Sequence, residues 1–175
     1  MRIADTKKNL KTNQEVDKKM VKIQIVDETG HTEKMAEAIA QGIRKENVTV
    51  ELKKVKDISP DELLEFEAII FGSPTYYGIM AADLKKLFDE SVKHHGKLSG
   101  RIGGAFTTSG IMGGGGETTI LSILEALLVH GMIVIGDART QHYGPLAIGD
   151  PDGNAIDTCK KYGQKIAKLT KKIFG

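Results

Sequence analysis

From Val21 onward the chain alternates short apolar, β-rich runs with stretches whose apolar residues recur every three or four positions. Five runs, at 21–26, 48–52, 68–72, 102–107 and 132–136, have the length and β-branched content of strands. Ala36, Ile39, Ala40 and Ile43 form one helical stripe, Ile120, Leu124 and Leu127 a second, and Ile156, Cys159, Gly163, Ile166 and Ile173 a third. Ser59-Pro60-Asp61-Glu62 reads as an N-cap, a proline at the first helical position and acids in the first turn, which predicts a short helix. Five strands alternating with five helices predict an α/β three-layer domain, a five-stranded parallel sheet with helices on both faces. Right-handed crossovers favour the strand order 2-1-3-4-5, in which the loops after strands 1, 3 and 4 become neighbours at the carboxyl edge where ligands sit.

Two stretches stand apart from this pattern. In the first strand Lys22 and Gln24 alternate with Val21, Ile23 and Ile25, so one face of a central strand is expected to be partly wet. Residues 1–20 hold six Lys or Arg, three acids and scattered apolar side chains, the composition of a polar arm appended to a domain at 21–175 and dispensable for its stability. Across all 175 residues, 25 basic and 23 acidic side chains leave a net charge of +2, which argues against nucleic acid as a partner. No apolar run reaches the roughly 18 to 20 residues of a membrane span. One cysteine cannot close an internal disulfide and no signal-like stretch follows the basic start, so a cytoplasmic protein is expected.

The three converging loops carry the candidate chemistry. After the first strand come Asp27, Glu28, Thr29, Gly30, His31 and Thr32, leading into a helix whose outward N–H groups, with the two threonine hydroxyls, suit a phosphate. An ordinary capped turn would use the same residues. After the third strand, Pro74, Thr75, Tyr76, Tyr77 and Gly78 set two adjacent tyrosines in a loop where a flat ring could stack, unless one of them packs into the core. After the fourth come Thr108, Ser109, Gly110, Ile111, Met112, Gly113 and Gly114, with five of the chain's 20 glycines between 110 and 116. The tract matches neither GxGxxG nor a Walker A loop, but lets main-chain groups approach the polar edge of a heterocycle. Phosphate, ring face and ring edge together are what flavin mononucleotide (FMN) requires.

With these motifs in order, the chain resembles the flavodoxin superfamily, for which the strand-order rule just used is already known to hold. It is most similar to the flavodoxin-like NAD(P)H:quinone oxidoreductases of the tryptophan-repressor-binding-protein group. The resemblance runs from Val21 to about Phe174 and rests on TGHTEKMAEAIAQGI, FGSPTYYGIMAADLKKLFD, AFTTSGIMGGGGETTILSILEALLVHGM and HYGPLAIGDP. It implies noncovalent FMN, with its phosphate on 27–32 and its ring between 75–78 and 108–114. It also implies NAD(P)H as reductant, a quinone, similar small molecule or redox protein as acceptor, and a homo-oligomer. His130 and Tyr143 are implied as auxiliary catalytic groups beside the flavin. Where the family usually has Ser or Thr this chain has Asp27, and a carboxylate there is expected to weaken phosphate binding.

Other constellations point elsewhere less strongly. His94 and His95 near Glu90 could hold a surface metal, but histidines at a helix C-terminus are favoured by the dipole alone, and no metal is expected. Cys159 lies on an apolar stripe and reads as a small buried hydrophobe. A phosphoacceptor receiver would need an Asp ending the third strand, where Gly72-Ser73-Pro74 stands. A flavodoxin-type electron carrier remains the alternative to an enzyme, although carriers that dock on basic partners tend to be acidic.

Overall fold

A computed structural model describes residues 22–27, through their backbone, and 30–175. The polar arm, the side chains of the first strand with its expected wet face, Glu28 and Thr29 lie outside the described residues. In chain order the elements are β1 (Lys22–Asp27), α1 (His31–Lys45), β2 (Thr49–Lys54), β3 (Ala68–Pro74), α2 (Ala82–Glu90), β4 (Ile102–Ser109), α3 (Gly116–Val129), β5 (Ile133–Val134), β6 (Leu146–Ile148) and α4 (Gly153–Phe174). Hydrogen-bonded neighbours run β2-β1-β3-β4-β5, all parallel, and β6 also pairs with β4. All eight residues of β4 are buried, as the centre of a doubly covered sheet demands.

Each face of the sheet carries two helices. On one, Met35, Ile39 and Ile43 of α1 pack with Cys159, Ile166 and Ala167 of α4 over Ile70 and Phe106. These two helices touch through glycine: a Cβ on Gly42 would lie 2.0 Å from the Lys160 carbonyl oxygen, and one on Gly163 would lie 2.1 Å from that of Ile39. Opposite, Leu84, Leu87 and Phe88 of α2 and Ile120, Ile123 and Leu127 of α3 cover Ile69, Phe71 and Ala105. Cys159 is the buried apolar group expected from its stripe, and burial pushes its thiol pKa up to about 12.

Two expectations about elements need correction. The helix anticipated after Ser59 is one 3-10 turn at Glu62–Glu65, because the chain must already be extended at Phe66 to enter β3. Ser59 does not cap it: Asp61 is the N-cap, without a side-chain capping bond, and the Ser59 N–H and hydroxyl instead both donate to Glu62 Oε1, at 3.0 and 3.1 Å. Four α-helices therefore replace the expected five among the described residues. The fifth strand is the second correction. Only Ile133 and Val134 of the run at 132–136 pair with β4, at Ile102 and Gly103, and β6 takes the same edge further along, at Thr107 to Ser109.

Between those two short strands β4 has no strand neighbour on that side, and α4 fills the gap. The Ala105 N–H donates to Tyr162 Oη at 3.2 Å, and Gly104 leaves the room, since a Cβ there would sit 2.5 Å from that oxygen. Tyr162→Phe should strand a buried N–H and cost about 1–3 kcal/mol in urea unfolding. A change under about 0.5 kcal/mol would show that the edge is satisfied in another way.

Candidate functional site

At the carboxyl edge of the sheet, α1 begins at Gly30, whose φ of +66° only glycine adopts freely. Gly30, as the N-cap, supplies no side-chain cap, and a Cβ on it would meet no atom of the described residues within 4 Å. Thr32 is fully buried there, and His31 is exposed. Asp150, in the turn between β6 and α4, reaches across to Lys34 Nζ at 2.6 Å and His31 Nε2 at 3.9 Å. The Lys34 ammonium holds the Asp150 carboxyl below the usual carboxylate range. Asp150 was not singled out in the sequence, where only its place in the motif HYGPLAIGDP marked it.

The tyrosine loop extends the β3–β4 pairing by one rung, with the Thr75 N–H donating to the Thr108 carbonyl at 2.8 Å. Tyr76 and Ile79 exchange backbone hydrogen bonds, both 3.1 Å, around Tyr77 and Gly78. The φ values of these two residues, +50° and +78°, make this a type I′ turn. Neither tyrosine enters the core: Tyr76 is 59% and Tyr77 fully exposed. Ser73 staples the loop by donating to the Pro74 carbonyl and accepting from the Ala81 N–H, each at 2.8 Å.

The glycine loop faces the tyrosine loop. Ser109 Oγ donates to the Ile111 carbonyl at 3.0 Å and the Gly114 N–H to the same oxygen at 3.1 Å, folding the tract into a tight turn with Ile111 and Met112 outward. A Cβ at Gly110 or Gly113 would meet nothing, whereas one at Gly115 would lie 2.6 Å from Gly78 Cα. The two loops are thus in backbone contact at one point and open beside it. A helix N-terminus after β1 and glycine-bearing loops after β3 and β4, at one edge of the sheet, fit a flat, phosphorylated heterocycle of the FMN kind. Gly30, His31 and Thr32 follow β1, Thr75 to Gly78 follow β3, and Gly110 to Gly114 follow β4, so the three segments lie at the carboxyl edge of neighbouring strands. Asp27 closes β1 at the same edge, its backbone in register with Lys54.

Tyr143 joins this region and His130 does not. Tyr143, half-exposed, lines a cleft of about 230 Å³ with Glu117, Ile120, Thr140, Gln141, His142, Gly144 and Leu146, beside the first turn of α3. His130 follows the other end of α3, whose 14 residues put it about 21 Å from the glycine loop. It is buried under Phe88 with Nε2 2.9 Å from Ser91 Oγ. Because the Ser91 hydroxyl donates to the Phe88 carbonyl at 2.7 Å, it must accept from His130, which fixes the Nε2–H tautomer and leaves Nδ1 buried without a partner. His130 therefore stands at the far end of α3 from the glycine loop, not beside the flavin as the resemblance implies.

Burial, and secondarily His95, pushes the His130 pKa below its ordinary 6.5. The unfolded chain then binds a proton more readily than the native one as pH falls through 6.5. Stability from this group is complete above that value and lost below it, at no more than about 1.4 kcal/mol per pH unit. His130→Gln, which keeps an N–H for Ser91, should flatten the fall in urea midpoint between pH 7 and 5. An unchanged slope would show that His130 stays neutral in both states. His94 Nε2 lies 2.5 Å from Asp61 Oδ1, and no group of three or more His, Cys, Asp or Glu side chains placed to hold a metal ion occurs among the described residues. No helix there is long and apolar enough to cross a membrane.

Comparison with known proteins gives the family. Residues 26–142 match the family model described as NADPH-dependent FMN reductase. An NAD(P)H dehydrogenase (quinone) of Archaeoglobus fulgidus is 30% identical, over 83% of this chain and 94% of its own. A flavodoxin of Clostridium saccharobutylicum is 35% identical with the same coverages. The crystal structure of a flavodoxin, WrbA-like protein from Agrobacterium tumefaciens superimposes with a TM-score of 0.73 at 26% identity, covering 87% of this chain and 98% of that one.

Proposed function

The chain belongs to the flavodoxin-like NADPH-dependent FMN reductase family, and from that premise we propose that it is an oxidoreductase that passes reducing equivalents from NAD(P)H to a quinone or similar acceptor. Bound FMN supplies the hydride chemistry. The protein's part is to hold the phosphate at the start of α1, to seat the ring between the tyrosine and glycine loops, and to present the acceptor. The observation that carries the enzyme reading is the cleft lined by Tyr143 beside the first turn of α3, which offers a second planar molecule a place next to the ring. A carrier needs only an exposed ring edge. The 35% identity to a flavodoxin keeps the carrier as the second reading.

Titration with FMN followed by anaerobic addition of NADH or NADPH separates the two. Rapid bleaching of the flavin, reversed by a quinone, is the expected result. If a chemical reductant bleaches it and neither nicotinamide does, the carrier reading replaces the enzyme. The protein is also proposed to work as a homo-oligomer, supported by exposed Leu128, Val129 and Ile133 beside the short edge strand, and light scattering tests this.

A further inference from the structure

We infer that the cleft beside α3 seats a small, neutral, planar carbonyl acceptor such as a quinone ring, and that His142 delivers a proton to its oxygen. This rests on the oxidoreductase reading above. The floor of the cleft is apolar, from Ile120 and Leu146, and its walls are aromatic, with His142 and Tyr143 edge to face at 6.5 Å between centroids. Leu146 also meets the start of the glycine-loop helix, since a Cβ on Gly116 would lie 2.2 Å from Leu146 Cδ1. The cleft and the ring site therefore share the first turn of α3. Glu117 stands at the cleft and disfavours an anionic occupant.

The segment carrying His142 is held by a dense set of bonds. Gln141 pairs with both backbone groups of Leu146, accepting from its N–H and donating to its carbonyl, each at 2.7 Å. The Asp137 carboxylate accepts from the Arg139 N–H at 2.8 Å and from Lys165 Nζ at 3.1 Å, which ties the segment to α4. His142 is fixed twice to Asp137: its carbonyl accepts from the Asp137 N–H at 3.1 Å, and its Nδ1 lies 2.7 Å from the Asp137 carbonyl oxygen. A carbonyl only accepts, so Nδ1 carries the hydrogen. Nε2 is then the basic nitrogen, and it has no partner among the described residues.

That arrangement suits a group that takes a proton from solvent at Nε2 and gives it up at the same atom, while the Asp137 carbonyl holds the ring in place. Reducing a quinone to a hydroquinone consumes two electrons and two protons. Bound FMN, once reduced, would supply the two electrons and one proton as a hydride. The second proton leaves the His142 imidazolium for the quinone oxygen, and the imidazole returns to its Nδ1–H form.

His142→Asn separates this role from a structural one, because the asparagine amide still donates to the Asp137 carbonyl but nothing replaces Nε2. The FMN-loaded protein is reduced with dithionite, so that no nicotinamide step is involved, and reoxidised with duroquinone or with ferricyanide, which takes electrons without protons. The ratio of duroquinone to ferricyanide rates should fall on the order of 100-fold in His142→Asn. In oxidised wild-type protein, duroquinone should shift the ring resonances of His142 and Tyr143. An unchanged ratio, or resonances that do not move, overturns the inference. If reduced wild-type protein reacts with ferricyanide and not with duroquinone, the quinone-reductase reading itself fails and takes the inference with it.

Discussion

Replacing Gly115 with alanine should weaken FMN binding about 10- to 100-fold and lower stability by about 1–3 kcal/mol. Gly115 has φ +90° and ψ 25°, a left-handed conformation that strains any residue with a Cβ. The new Cβ would lie 2.6 Å from Gly78 Cα, and both partners are main chain, so no rotamer relieves the clash. Its carbonyl also anchors the start of α3, accepting from the Thr118 and Thr119 hydroxyls at 2.9 Å. Moving it would push the glycine and tyrosine loops apart and widen the slot for the ring. Gly110→Ala is the control: its Cβ would meet nothing in the protein, so stability should hold within about 0.5 kcal/mol. Fluorescence titration and urea unfolding of both variants give the answer. Undiminished FMN affinity in Gly115→Ala would show that this contact does not set the spacing of the slot.

Asp27→Ser should tighten FMN about 10- to 100-fold. Asp27 ends β1 at the edge where Gly30 precedes α1, the place proposed above for the FMN phosphate. A serine there would donate to a phosphate oxygen, worth about 1 kcal/mol, and remove a like charge, worth about another 1 at a partly wet site. The gain should grow at low ionic strength, where repulsion is least screened. Titrations of both proteins at two salt concentrations measure it. Binding no tighter in Asp27→Ser would mean that Asp27 braces the loop through its N–H groups, leaving the flavin assignment intact.

The positions of β1 to β4, the two-sided cover of the sheet and the loops that follow β1, β3 and β4 were legible because they depend on local pattern. Ile39 and Ile43, or Ile120 and Leu127, mark a buried face by spacing alone, although Leu124 of the same stripe is only half-buried. The same locality explains what stayed hidden. Resemblance placed His130 beside the flavin, yet the direction of α3 carries it to the far end, into a cage of Phe88 and Ser91. The run at 132–136 has the makeup of a full strand, but register lets only two of its residues pair before Tyr162 and then β6 take over the edge.

By itself, then, the sequence determined which residues face inward and which loops end the strands, since periodicity follows from backbone geometry within a few residues. Only the tertiary structure decided which of those residues meet. The Gly78–Gly115 contact joins positions 37 residues apart, and the Lys34–Asp150 pair spans 116. The tautomer of His142 depends on a carbonyl whose orientation is set by the turn around Asp137. Such meetings depend on strand register, helix direction and turn conformation, which no spacing of apolar and polar residues encodes.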